Sequence, residues 1–153
     1  MEHLNIVNLL LSIEHLQYVL IKTDVPYMPL DFPQKIAIGK DLDILCKYKH
    51  FNKLYKTCID FSEKYKNKFI VKKINIEDKL KIRFEKNKKL YYQIDISYNY
   101  ITKNFVENII NRRIRKNIYY IPCIDDELII RKHEYKKNKN KTWHLKYIQE
   151  HEK

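Results

Sequence analysis

Three aspartates carry the strongest chemical signal in this chain. Asp41 and Asp43 stand two residues apart in Gly39-Lys40-Asp41-Leu42-Asp43-Ile44-Leu45-Cys46, and Asp95 lies between isoleucines in Tyr92-Gln93-Ile94-Asp95-Ile96. Both runs read as strands. Successive side chains of a strand point to opposite faces, so Asp41 and Asp43 share one face, roughly 6.6 Å apart, while Leu42 and Ile44 enter a core. An isolated charge in an otherwise apolar strand is costly unless it is paired or bound to metal. Three carboxylates on neighbouring strands form a site for a hard divalent cation such as Mg²⁺ or Mn²⁺, which takes oxygen ligands and leaves positions for phosphate. The chemistry this predicts is metal-dependent phosphoryl or nucleotidyl transfer. The plainer alternative is a surface strand with two solvated aspartates.

Other reactive residue types form no comparable pattern. Cys46, Cys58 and Cys123 are widely separated and lack metal-ligand spacing, which argues against a disulfide scaffold and a zinc site. No Ser-His-Asp or Cys-His arrangement is suggested locally. His50 sits in a loop ahead of a helix, and nothing in its spacing marks it out. Two basic stretches stand out, Asn111-Arg112-Arg113-Ile114-Arg115-Lys116 and Lys136-Lys137-Asn138-Lys139-Asn140-Lys141. The arginines of the first suit bidentate phosphate contacts, although either stretch also reads as a solvated helix end.

The elements that must position the acids follow from periodicity. Leu4, Val7, Leu10, Leu11 and Leu16 predict an amphipathic helix over 3–16. A strand at 17–23 comes next, the first of a central sheet. Pro26, Pro29 and Pro33 forbid a continuous helix over 24–40, so that segment is a long loop of the kind often used in function. The acidic strand at 41–46 leads into a helix over 51–65, with Leu54, Tyr55, Cys58, Ile59, Phe61 and Tyr65 on its buried side. Runs at 69–76, 80–85 and 90–97 alternate as three strands, joined by hairpin turns near Glu77-Asp78 and Asn87. Asn104 is a candidate cap for a helix running through Ile114. An extended piece at 117–122 precedes a helix started by Asp125 and Asp126 and ending near Lys137, and a last helix over 142–151 is anchored by Trp143 and Tyr147. The order predicts a mixed α/β (α+β) fold, a mixed central sheet with flanking helices on one face. There is no internal repeat and no domain boundary, so residues 1–153 read as one domain with a helical C-terminal segment at about 123–151.

Composition bounds the rest. The chain has 153 residues, of which 44% are hydrophobic, enough to build a core. Gly39 is its only glycine, so tight turns must use Asn, Asp and Pro. No apolar run approaches the roughly 20 residues that span a membrane, and Met1-Glu2-His3 lacks the basic start of a signal peptide. A reducing cytoplasm is the expected compartment. The net charge of +12 attracts anions. However, the lysines are spread along the whole chain in a Lys-, Asn-, Ile- and Tyr-rich composition, and most of the 13 tyrosines sit beside apolar neighbours. A nucleic acid is therefore possible as a partner but not favoured.

Tyr18-Val19-Leu20-Ile21-Lys22, a Pro-containing loop, and then Gly39-Lys40-Asp41-Leu42-Asp43-Ile44-Leu45 resemble the front of the nucleotidyltransferase superfamily, which has the polymerase beta-like nucleotidyltransferase fold. The chain is similar to uncharacterised bacterial members, some of them associated with surface polysaccharide synthesis. Pro122 through Asp126-Glu127-Leu128, His133 and the following lysines resemble a C-terminal helical segment of those relatives. The likeness spans about residues 17–150 on few specific letters. It implies that Asp41 and Asp43 form the first acidic pair and Asp95 the third acid of the catalytic, metal-holding set. Active members carry a Gly-Gly or Gly-Ser pair after the first strand, whose N–H groups cradle phosphate; this chain has Lys22-Thr23-Asp24 there. Lys22, Thr23, Gly39 and Lys40 are accordingly the candidates for binding nucleotide phosphates, with Arg83 as a further basic candidate and His133 as a cleft-facing one.

The expected activity is transfer of a nucleoside monophosphate from a nucleoside triphosphate to a small anionic or hydroxylated acceptor, for instance a sugar precursor. The alternatives are a catalytically inactive relative that binds through the same cleft, and a basic nucleic-acid-binding module.

Overall fold

The computed structural model describes residues 4–152. Among them, five strands form one mixed sheet in the order β1-β2-β5-β4-β3: β1 (Tyr18–Ile21), β2 (Asp41–Cys46), β3 (Ile70–Ile76), β4 (Lys79–Lys86) and β5 (Lys89–Ser97). β2 and β5 pair in parallel and the other neighbours are antiparallel. A small hairpin, β6 (Ile114–Lys116) with β7 (Tyr119–Ile121), forms a separate two-stranded sheet packed beside β1, with Tyr120 edge-on to Tyr18. The helices are α1 (Val7–Ser12), α2 (Phe51–Glu63), α3 (Lys103–Asn111), α4 (Ile124–Lys137) and α5 (Thr142–His151).

The alternation of strand side chains divides the core in two. Tyr18, Leu20, Leu42, Ile44, Leu80, Ile82, Ile94 and Ile96 face α1 and α2, where Leu9, Leu10, Leu54, Cys58 and Phe61 meet them. Val19, Ile21 and Leu45 point to the other side, against Val106, Ile109 and Ile110 of α3 and Ile130 of α4. Helices therefore flank both faces, not one. The sequence conceals this because the second face is apolar only on β1 and at Leu45 of β2; the rest of that face is polar, at Asp41 and Asp43 of β2 and along β5 and β4.

Most strands match the pattern reading to within a residue or so, and the hairpin turns fall where expected. Asn87 and Lys88 both take positive φ, at 53° and 63°, the backbone of a tight two-residue hairpin turn. Three segments differ. The start of the expected first helix at residue 3 lies outside the described residues, and α1 covers only Val7–Ser12; the Asn5 side chain accepts from the Val7 N–H at 2.9 Å at its start, and residues 13–16 leave the helix as a turn and bend. Leu4 and Ile6 are still buried, in non-helical chain ahead of the helix. The α3 cap is Thr102, whose hydroxyl accepts from the Phe105 N–H at 2.9 Å, and not Asn104. That helix ends at Asn111 and Ile114 belongs to β6. The arginines explain the change: Arg112 forks onto the Asp126 carboxylate at 3.1 and 2.7 Å, and Arg113 donates to the Leu16 and Tyr18 carbonyls at 3.0 Å each. These contacts draw the chain into the hairpin.

Candidate functional site

The two acid-bearing strands are hydrogen-bonded neighbours. Their parallel register sets Asp43 beside Asp95 and Asp41 beside Gln93, all on the face away from α1 and α2. One carboxylate oxygen from each of Asp41, Asp43 and Asp95 lies within 4.8 Å of the others. The three are graded in depth, from exposed Asp41 through half-buried Asp43 to Asp95 at 4% exposure. Gln93 donates to Asp95 at 2.9 Å and fixes its orientation. Burial, reinforced by the charge of Asp43, pushes the Asp95 carboxyl up to about 6, with the Gln93 bond opposing.

The triad opens into a cleft of about 240 Å³ between the sheet and the C-terminal end of α4. Lys79 and Lys81 of β4 line it, as do Tyr100, Glu134 and Lys137 from the helical side and Lys141 from the turn before α5. Donors that are all carboxylate oxygen, at this mutual distance, suit a hard divalent cation, whose opposed ligands stand about 4 to 5 Å apart. The residues present therefore fit such an ion.

Lys22 is the second feature of the site. It ends β1 with φ at 56°, a left-handed backbone uncommon for a residue with a side chain. Its N–H donates to Glu127 Oε1 at 3.1 Å. Its ammonium lies 3.0 Å from Asp43 Oδ2 and 2.8 Å from Glu134 Oε1. Tyr100 donates its hydroxyl to the other oxygen of Glu134 at 3.0 Å. Burial alone would lower the Lys22 ammonium, but the Asp43 and Glu134 carboxylates raise it above its ordinary range. Burial likewise favours protonation of Glu134, yet Lys22 and Tyr100 hold it at about 2.

Among the other candidates, Thr23 lines a different, smaller pocket with Glu127 and Ile121. Gly39 and Lys40 do not line the triad's cleft. Gly39 serves a turn: its φ is 74° and its N–H donates to the Tyr91 carbonyl at 2.7 Å. The Lys40 ammonium lies 5.0 Å over the Tyr27 ring. Arg83 pairs with Glu85, and His133 packs edge-on against Tyr100 with ring centroids 5.4 Å apart, outside the cleft lining. His50 is structural, its Nδ1 accepting from the Gln17 N–H at 2.8 Å. Of the two basic stretches, the arginines of the first hold the hairpin, while Lys137 and Lys141 of the second reach the cleft.

Sequence reasoning missed Glu127, Arg131 and Glu134. They stand four and three residues apart on α4 and so share a face, and all three are buried. Arg131 donates to Glu127 Oε1 at 3.1 Å and to the Asp24 carbonyl at 2.7 Å, with its guanidinium 4.2 Å over the Tyr147 ring. The spacing was legible, but a charged helix face ordinarily reads as solvated. Comparison with protein-family models, curated proteins and solved structures finds no match for the chain.

Proposed function

We propose that this chain is a metal-dependent nucleotidyltransferase, moving a nucleoside monophosphate from a nucleoside triphosphate to a small acceptor, a sugar or surface-polysaccharide precursor being the class its resemblance suggests. The carrying observation is the convergence of Asp41, Asp43 and Asp95 on a parallel strand pair, in a cleft whose walls are lysine-lined. In this reading the three aspartates hold Mg²⁺ or Mn²⁺, which supplies charge stabilisation to the transferring phosphoryl group. Lys79 and Lys81 on one wall, with Lys137 and Lys141 on the other, bind the phosphates and stabilise charge developing on them. Asp95, set beside Asp43 at the buried end of the triad, is the acid this reading assigns to take a proton from the acceptor hydroxyl. The left-handed backbone of Lys22 also supports the reading, since it stands where relatives carry glycine.

A second reading is a relative that binds nucleotide without transferring it. One observation favours it: among the described residues no helix follows β1 before β2, so the phosphate-cradling helix start of active relatives has no counterpart here. The deciding experiment is calorimetric titration of ATP, CTP, GTP and UTP with Mg²⁺ or Mn²⁺ into wild type and an Asp41→Asn/Asp43→Asn variant. Binding that the variant loses supports the metal-nucleotide site, and an acceptor screen then separates transfer from binding alone. No binding of any nucleotide by folded wild type sinks both readings.

A further inference from the structure

Lys22 differs from every other lysine of the cleft. The ammonium groups of Lys79, Lys81 and Lys141 reach it with no hydrogen bond or ion pair among the described residues, and that of Lys137 stands 3.7 Å from Glu134 at 62% side-chain exposure. Lys22 is only 16% exposed and is held at both ends, its N–H by Glu127 and its ammonium by Asp43 and Glu134. Such a lysine is a fixed charge. It occupies one oxygen of Asp43, so that carboxylate meets an incoming metal ion already half neutralised.

The charges around the cleft reinforce the point. Asp41, Asp43, Asp95 and Glu134 face Lys22, Lys79, Lys81, Lys137 and Lys141, a formal excess of one positive charge with all four carboxylates ionised. A bare divalent cation gains little on entering such a site. A cation already complexed to a polyphosphate brings net negative charge, which Lys79, Lys81, Lys137 and Lys141 can bind while the aspartates take the metal.

We propose that Lys22 is a resident cation of this site, which lowers the affinity of the aspartates for free metal so that the ion enters as the complex with its anionic ligand. The inference rests on the metal-nucleotide reading for its ligand class, but the metal step can be tested alone. Lys22 is a positioning residue here: it acts through Asp43.

The test is Mn²⁺ binding to the full chain, read from the free-ion signal in electron paramagnetic resonance, with circular dichroism checking that each variant is folded. Lys22→Met removes the competing charge from Asp43 and is expected to bind free Mn²⁺ about tenfold tighter than wild type. Lys81→Met removes the same charge from the cleft without touching Asp43, and its gain is expected to be several-fold smaller. Glu134→Gln leaves the ammonium to lean on Asp43 alone and is expected to weaken Mn²⁺ binding, which keeps the inference testable should Lys22→Met fail to fold. Lys22→Met binding no tighter than wild type, Lys81→Met matching it, or Glu134→Gln binding tighter would each overturn the inference. If Lys22→Met binds Mn²⁺ tightly and no nucleotide binds in the calorimetric titration, the resident cation stands and the nucleotidyltransferase reading falls. If wild type binds nucleotide with metal and Lys22→Met leaves Mn²⁺ affinity unchanged, only the resident cation falls.

Discussion

At the residue scale, Asp95 puts binding and stability in opposition. Its carboxyl titrates near 6 against an ordinary value of 3.8, so the folded chain holds that proton more tightly than the unfolded chain does. The ionised form therefore costs stability above pH 6, and the cost disappears as pH falls toward 4. Asp95→Asn is expected to abolish Mn²⁺ binding and to stabilise the fold at pH 7 by about 1 to 3 kcal/mol, measured by urea denaturation. An unchanged or lower midpoint would show that Asp95 is not strained by its surroundings. In wild type, Mn²⁺ affinity is expected to fall as pH drops from 7 to 5, because protons compete for Asp95. His144 bears on acid stability in the same range. Burial, with Arg131 and Lys22 nearby, lowers its imidazole to about 4, so it remains neutral in the fold where the unfolded chain would protonate it. Stability is then lost as pH falls from 6.5 toward 4, and His144→Phe is expected to flatten that part of a Tm-against-pH curve.

At the scale of elements, α4 carries the site's outer wall and is the least orthodox helix in the molecule. Its buried side includes Glu127, Arg131 and Glu134 where a typical packed helix would place leucines. Arg131→Ala leaves the Glu127 carboxylate buried without its main partner, and is expected to cost about 3 to 5 kcal/mol in denaturant unfolding. Arg131→Met with Glu127→Gln should recover much of that loss. A double variant as unstable as the single would mean that the Arg131 contacts to Asp24 and Tyr147 dominate. This helix also marks how far the sequence could be read. The strands β2 and β5 were legible because Leu42, Ile44, Ile94 and Ile96 alternate with the acids, and β-periodicity needs only a few residues to register. The parallel pairing that joins Asp43 to Asp95 is a long-range fact that local pattern suggests but does not determine. The Lys22–Glu134 contact was hidden altogether, since it spans 112 positions and joins residue types that usually face water. The first helix was over-read for the opposite reason: Leu4 and Ile6 are buried, but in non-helical chain whose apolar residues fit a helical spacing too.

For the molecule as a whole, the net charge of +12 has to be separated from the site. Weak nucleic-acid binding by a scattered positive field should decline steeply with salt and should survive loss of the aspartates. Filter binding of single-stranded DNA is expected to be unchanged or slightly stronger in Asp41→Asn/Asp43→Asn, and lost at high ionic strength. DNA binding that needs the aspartates would instead make nucleic acid the ligand of the cleft. Among the described residues, no helix is long and apolar enough to cross a membrane. The open end of the sheet has a consequence of its own. Among the described residues β3 pairs on one side only, and it leaves Ile70, Ile74 and Ile76 exposed on the same face as Lys72. An open strand edge bearing isoleucines is a template on which a second chain can stack, and lysines are the common guard against it. The surplus charge of this protein thus also acts as a colloidal barrier. Concentrated solutions should remain dispersed while repulsion persists and begin to self-associate through β3 when salt, polyanions or lysine acetylation remove it.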